Sequence, residues 1–231
     1  MFDRIELKGK KHNPRKVTLV IDASFFHRGD GFLVAKDPNE SEVIYGQEIS
    51  SETKSEYERA KKEIEGLEYI IQAVVLDGRT GIPRVFEGIP IQICQFHQLQ
   101  IVRRKLTLKP QTEAGKALLS IGLNITRMTY ESLSRALSSW HEEYHIFIEE
   151  KTYTLGTKRW RYTHRKMRSA YKSLIKNLPY LYTYLKYPEL KIPNTTNCLD
   201  GHFSSLKEKL RVHRGQNRKR RWKMIRTILK I

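Results

Sequence analysis

Acidic residues are nearly missing from the last third of this 231-residue chain. After Glu150 only Glu189, Asp200 and Glu208 occur, against 22 lysines and arginines. Cysteine is scarce as well, with Cys94 and Cys198 alone. Two cysteines exclude a disulfide scaffold and an all-cysteine zinc site, and they fit a reducing cytoplasm. No run of 18 apolar residues exists, which excludes a transmembrane helix and any membrane role built on one. Residues 1–16 are charged and lack an apolar stretch, so they read as a basic N-terminal segment and not a secretory signal. With 39% hydrophobic and 29% charged residues, the balance is that of a globular protein, not a disordered one. The length predicts one domain or at most two, large enough for a real core.

The charge is unevenly placed. Residues 1–150 hold 21 Lys+Arg and 22 Asp+Glu, a balance of −1. Residues 151–231 hold 22 Lys+Arg and three acids, a balance of +19, so the net charge of +18 lies wholly in the last third. A surface of this kind binds polyanions, nucleic acid above all, through phosphate contacts and counterion release.

Val17–Phe26 is a β-branched, apolar run, and 31–36 and 42–50 are further strand-like runs separated by the turn Asp37-Pro38-Asn39. Thr53 with Glu56 predicts a capping box on a helix over 53–68. Residues 70–76 read as a strand buried on both faces, 80–87 as a short helix or turn, and 90–96 as a fifth strand leading into a helix from about His97. The order predicts an α/β fold: a mixed five-stranded sheet with flanking helices. After Pro110 only helices are expected, over 114–119, 130–149 and 164–177, with no strand among them. Pro188–Pro193 breaks that run, and helices over 197–210 and 218–229 follow.

Asp22 interrupts one buried strand (LVIDASF) and Asp77 ends another (VVLDG). A carboxylate in such a place is costly unless it is paired or binds a metal, and two of them on neighbouring strands suit Mg²⁺, which takes oxygen ligands. Asp77-Gly78 is equally a turn pair. Asp200, in the first turn of its helix, equally complements the helix dipole, and spacing alone does not choose it as a ligand. Cys94 and His97 are two ligands, not the four of a structural zinc site. His141-Glu142-Glu143-Tyr144-His145 matches the H-E-x-x-H zinc-protease pattern, but no acid follows until Glu189 to complete the ligand set. Arg159, Arg161 and Arg165 are interleaved with aromatic residues, a pattern that suits nucleic acid. Arg214, Arg218, Lys219, Arg220 and Arg221 pack five cations into eight residues and are expected to stay solvated for phosphate contact. Tyr171, Tyr182 and Tyr184 are expected in the helical core.

Asp22, Asp77, the Cys94-Gln95-Phe96-His97 element and the stretch Asn194-Thr195-Thr196-Asn197-Cys198-Leu199-Asp200-Gly201 together resemble the catalytic domain of Mutator-type bacterial insertion-sequence transposases. The resemblance extends over most of the chain, including 162–165 and 177–181. It implies a ribonuclease H-like core over 17–109 and 192–231, with an inserted all-helical subdomain over 110–191. It also implies three acidic metal ligands, Asp22, Asp77 and Asp200, that hold Mg²⁺ (or Mn²⁺) for DNA cleavage and strand transfer. Cys94, His97 and Asn197 would support that site. The implied partner is double-stranded DNA, as transposon ends and target, met as a homodimer on the bacterial nucleoid in the cytoplasm. Two departures accompany it. The family's third acid is Glu where this chain has Asp200, and its N-terminal DNA-recognition module precedes the first acid, where only 21 residues stand here. The resemblance therefore predicts a catalytic-domain fragment, a truncated element or half of a split system. A decayed transposase that only binds DNA, or a nuclease of the same fold, are the other readings.

Overall fold

The structure, a computed structural model, describes residues 10–212 and 217–231. In chain order the first elements are β1 (Lys16–His27), β2 (Asp30–Asp37), β3 (Glu42–Ile49), α1 (Lys54–Gly66), β4 (Ile70–Leu76), a 3₁₀ turn (Pro83–Phe86) and β5 (Ile91–Ile93). Then come α2 (Gln95–Leu106), α3 (Glu113–Leu123), α4 (Tyr130–Glu149), β6 (Lys151–Tyr153), β7 (Trp160–Tyr162), α5 (Arg165–Asn177), α6 (Thr183–Lys186), α7 (Asn197–Val212) and α8 (Arg218–Leu229). The described chain divides into two compact units. One takes residues up to 92 together with 184 onward, and the other takes 93–183.

The first unit is built on a mixed five-stranded sheet in the order β3-β2-β1-β4-β5. β1 pairs antiparallel with β2 and parallel with β4. Arg28-Gly29 closes the β1–β2 hairpin in two residues, with Gly29 at φ 76°, a conformation that favours glycine. Asp37 makes the next turn by accepting the Asn39 N–H at 2.9 Å, and Arg15 bonds both Asp37 (2.7 Å) and Glu42 (2.8 Å). Alternate residues bury both faces: Leu19, Ile21, Leu33 and Ala35 point one way, and Val20, Phe32 and Val34 the other. The second set forms a core with α7 and α8. Leu199, Phe203 and Leu206 recur along α7, and Trp222, Ile225 and Leu229 along α8, each at helical spacing that makes one apolar stripe. Each such side chain stabilises by about 1.5–3 kcal/mol on burial.

The capping box expected at α1 does not form. Thr53 makes no side-chain cap bond; its hydroxyl meets Ser55 at 2.8 Å instead. The Glu56 carboxylate is drawn off by the buried Gln47 amide, at 2.8 Å, because a buried amide needs an acceptor more than an exposed helix end does. The fifth strand is also shorter than its apolar run, since Cys94 already caps α2.

The second unit is mostly helical. α2 packs on α5 and α3, and α3 on α4. The buried Trp140 indole donates to the Ala114 carbonyl at 2.9 Å, and the Tyr182 hydroxyl to Ile125 at 2.9 Å. The expectation of no strand after Pro110 is overturned: β6 and β7 pair as an antiparallel hairpin, Thr152 opposite Arg161. Three-residue strands fall below the length at which alternation is legible, and all three residues of β6 are exposed. Of the expected core tyrosines, Tyr182 is buried, Tyr171 is half-buried against Trp140 (ring centroids 5.1 Å), and Tyr184 packs on the core of the first unit. No described helix is long and apolar enough to cross a membrane.

Candidate metal centre

Asp22 lies within β1, opposite Val34 of β2, and is 7% exposed. The period of two puts it on the sheet face that carries Val20, Val34 and Phe32, the face α7 covers. Its Oδ1 accepts the Ala23 N–H at 2.8 Å. Asp200 stands in the first turn of α7, half-buried, one residue after the core residue Leu199. Packing of Leu199 and Phe203 on the sheet therefore delivers Asp200 to Asp22. Their carboxylate oxygens lie within 4.8 Å of each other. Two like charges this close, one of them buried, repel unless a proton or cation lies between them.

Asp77 follows β4 directly. Val75 is opposite Val20 in the parallel register, so Asp77 and Asp22 are each two residues further along neighbouring strands. The Asp77 carboxylate is engaged in its own turn, accepting the Arg79 N–H at 2.8 Å, and it does not join the close pair. The turn property weighed for Asp77-Gly78 is thus real, and it coexists with a place at the edge of the acidic site.

Two residues of this region were not singled out from sequence. Glu52, in the loop before α1, is drawn toward the site: its carboxylate accepts the Tyr57 hydroxyl at 2.8 Å and is ion-paired with Arg79. Burial, then the charge of Asp77, pushes the Glu52 carboxyl above its ordinary value, against the pull of Tyr57 and Arg79. The buried Tyr57 phenol rises well above its ordinary value, through burial first and then the negative charges of Glu52, Asp77 and Asp22. Glu52 sits among Ser50, Ser51 and Thr53, where an acid reads as solvated; only the fold buries it. Lys36 ends the apolar run of β2 and is 4% exposed. Its ammonium donates to the Cys198 carbonyl and lies near the His202 Nε2, both at 3.3 Å. Burial and then the Lys36 charge hold His202 below the usual imidazole range. Lys36 thereby ties the first turn of α7 to the sheet face that carries Asp22. A lysine inside a strand pattern carries no sign of this in sequence.

The remaining expected residues are distributed as follows. Asn197 is the first residue of α7 and is exposed, and the buried Thr196 precedes it. Cys94 is buried and His97 is half-buried in the first turn of α2, both in the helical unit. Both cysteines are free, and burial pushes the Cys198 thiol up. His141 stacks on Tyr171 with ring centroids 5.1 Å apart, and no third metal-type ligand joins it and His145 among the described residues. The H-E-x-x-H match is part of the helical packing.

Arg214 lies outside the described residues. Arg218, Lys219 and Arg220 are exposed and line an open groove of about 880 Å³ with Lys223 and Arg226, Glu48 being its one acid among the described residues. Arg221 departs from the expectation of a solvated cation. It is ion-paired with Asp30 and its guanidinium lies over the Phe26 ring at 5.8 Å. The buried stripe of α8 places position 221 beside the sheet, and an arginine stem packs on apolar surface there. Arg159, Arg161 and Arg165 are exposed in the helical unit, on or next to the hairpin, with Tyr153 and Trp160 also exposed.

No protein-family model matches the chain, and no curated protein does.

Proposed function

We propose that this chain is the catalytic core of a DNA transposase with a ribonuclease H-like fold, and that Asp22, Asp77 and Asp200 form its metal site. The observation that carries this reading is the approach of Asp22 and Asp200, from opposite ends of the chain, on one sheet face. The donors fit a hard divalent ion: the Asp22 and Asp200 carboxylate oxygens lie at a separation that an oxygen-bound ion can bridge. Asp22 and Asp200 would hold the ion between them, with Asp77 as the neighbouring ligand. Bound Mg²⁺ (or Mn²⁺) would activate a water or a 3′-hydroxyl and stabilise the departing oxygen of a phosphodiester.

The chain's own residues prepare that site. The β1–β4 pairing fixes Asp22 against Asp77, while Lys36 fixes the start of α7 and so Asp200. Glu52, through Arg79, holds the turn on which Asp77 sits. The basic groove of α8 supplies cations that hold DNA phosphates without entering the chemistry. No covalent enzyme intermediate is required.

The test is a strand-transfer assay with supercoiled plasmid and pre-cleaved donor ends, in Mg²⁺, Mn²⁺ or EDTA, for the chain and its Asp22→Asn form. Joined products that need both metal and Asp22 are expected. Metal-dependent nicking without joining would mean a nuclease of this fold. DNA binding with neither activity would mean a decayed element, in which Asp200 no longer completes the site.

A further inference from the structure

The helical unit contains a cleft of about 520 Å³ that neither the acids nor the α8 groove involve. It runs between the end of α2, the loop that follows it, β7 and the first turn of α5. Five cations line it: Lys105, Lys109, Arg161, Arg165 and Lys166. No carboxylate lines it among the described residues. None of the five is ion-paired among the described residues, whereas the two acids at the end of α4 are taken by other partners, Glu149 by Arg168 and Glu150 by His164. The sequence explains why: no acid occurs from 151 to 188, so the hairpin and α5 bring charge of one sign only.

Five uncompensated cations around one concave surface repel one another and attract an anion. The floor is apolar, with Leu106 and Met167 buried, and the rim offers hydroxyl donors such as Thr107 and Thr163. Four of the five cations are exposed, on long flexible stems. That arrangement suits a polymer backbone passing over the surface better than one small ion enclosed by the protein. The cleft also lacks a stacking platform. Its two described aromatic rings are covered, Tyr162 by the Arg168 guanidinium at 3.9 Å and His164 by the Phe147 ring, with centroids 3.8 Å apart. Single-stranded nucleic acid is held by stacking its bases on open aromatic faces, so this lining favours a strand whose bases are already paired.

We propose that this cleft is a phosphodiester-backbone site for duplex DNA, in which Lys105, Lys109, Arg161, Arg165 and Lys166 hold successive phosphates of one strand. The proposal deepens the DNA reading above and rests on it for the identity of the polymer, but not for the anion.

The experiment is fluorescence anisotropy of the whole chain with a labelled duplex and, separately, a single strand of equal length, in EDTA across a salt series. The variants are Lys109→Ala, Arg161→Ala and Lys166→Ala, singly and combined, with Lys172→Ala on α5 as control and Arg161→Lys as the charge-preserving form. Each lost contact should lower the slope of log K against log salt by about 0.9 for duplex. The triple variant should weaken duplex binding tenfold or more, Arg161→Lys should keep most of it, and Lys172→Ala should change neither. Unchanged duplex slopes in variants that melt like the parent would overturn the site. An equal or larger loss on the single strand would overturn its duplex character. Because the readout is binding in EDTA, loss of strand transfer in Asp22→Asn leaves this result untouched. Failure of the cleft variants, conversely, leaves metal-dependent chemistry standing.

Discussion

Asp22 in β1 and Asp200 in the first turn of α7 bring carboxylate oxygens within 4.8 Å of each other. The pair has unequal surroundings, since Asp22 is buried and Asp200 half-buried. Removing either charge should relieve repulsion while removing a proposed ligand. Asp22→Asn and Asp200→Asn are each expected to lower metal-dependent DNA cleavage by at least a hundredfold, with duplex affinity in EDTA equal or higher. Asp200→Glu, which keeps the carboxylate, should stay within tenfold of the parent. A parent-like rate in Asp22→Asn would remove the metal-site reading.

Lys36 tests whether the start of α7 must be fixed. Lys36→Met keeps the stem volume and removes the donor to the Cys198 carbonyl. The chain should still fold, because the stripe of Leu199, Phe203 and Leu206 remains. Metal-dependent cleavage should fall tenfold or more through kcat, with KM for DNA little changed. Lys36→Arg, which keeps the charge and a donor, should recover part of the loss.

Glu52 gives a pH dependence with a definite sign. Its folded pKa is raised above the unfolded value, chiefly by burial and next by Asp77. The folded state therefore holds the Glu52 proton more tightly than the unfolded chain does. The associated stability is fully present below the unfolded carboxyl pKa and is lost as pH rises through the folded one. In metal-free buffer, the melting temperature of Glu52→Gln should fall less than the parent's as pH is raised from about 4 to 7 across the carboxylate range. Parallel curves for the two proteins would show that Glu52 does not contribute to the pH dependence.

Arg221 and Lys219 distinguish an ion-paired cation of α8 from one proposed to contact DNA. Arg221→Ala leaves Asp30, one buried oxygen of which has no hydrogen-bond partner among the described residues, to lose its ion pair as well. A loss of about 1–3 kcal/mol in stability is expected, read by denaturant unfolding. Lys219→Ala should leave stability within about 0.5 kcal/mol and instead lower the salt slope of DNA binding. Equal stability effects would contradict the structural role given to Arg221.

The sequence by itself determined the elements whose patterns are long. The twelve residues of β1, the apolar run of β4, and the stripes of α4 and α8 are all legible because burial on one or both faces repeats over several periods. It determined the acid-free stretch from 151 to 188 as well, and so the sign of the helical unit's surface. It could not show that Asp200 meets Asp22, since a first-turn aspartate looks the same whether it faces solvent or a second carboxylate. Nor could it show the β6–β7 hairpin, the burial of Glu52 and Lys36, or the engagement of Arg221. Each of these depends on which side chain the packing of distant segments brings alongside. Periodicity records which face of an element is buried, and only the tertiary structure decides what that face is buried against.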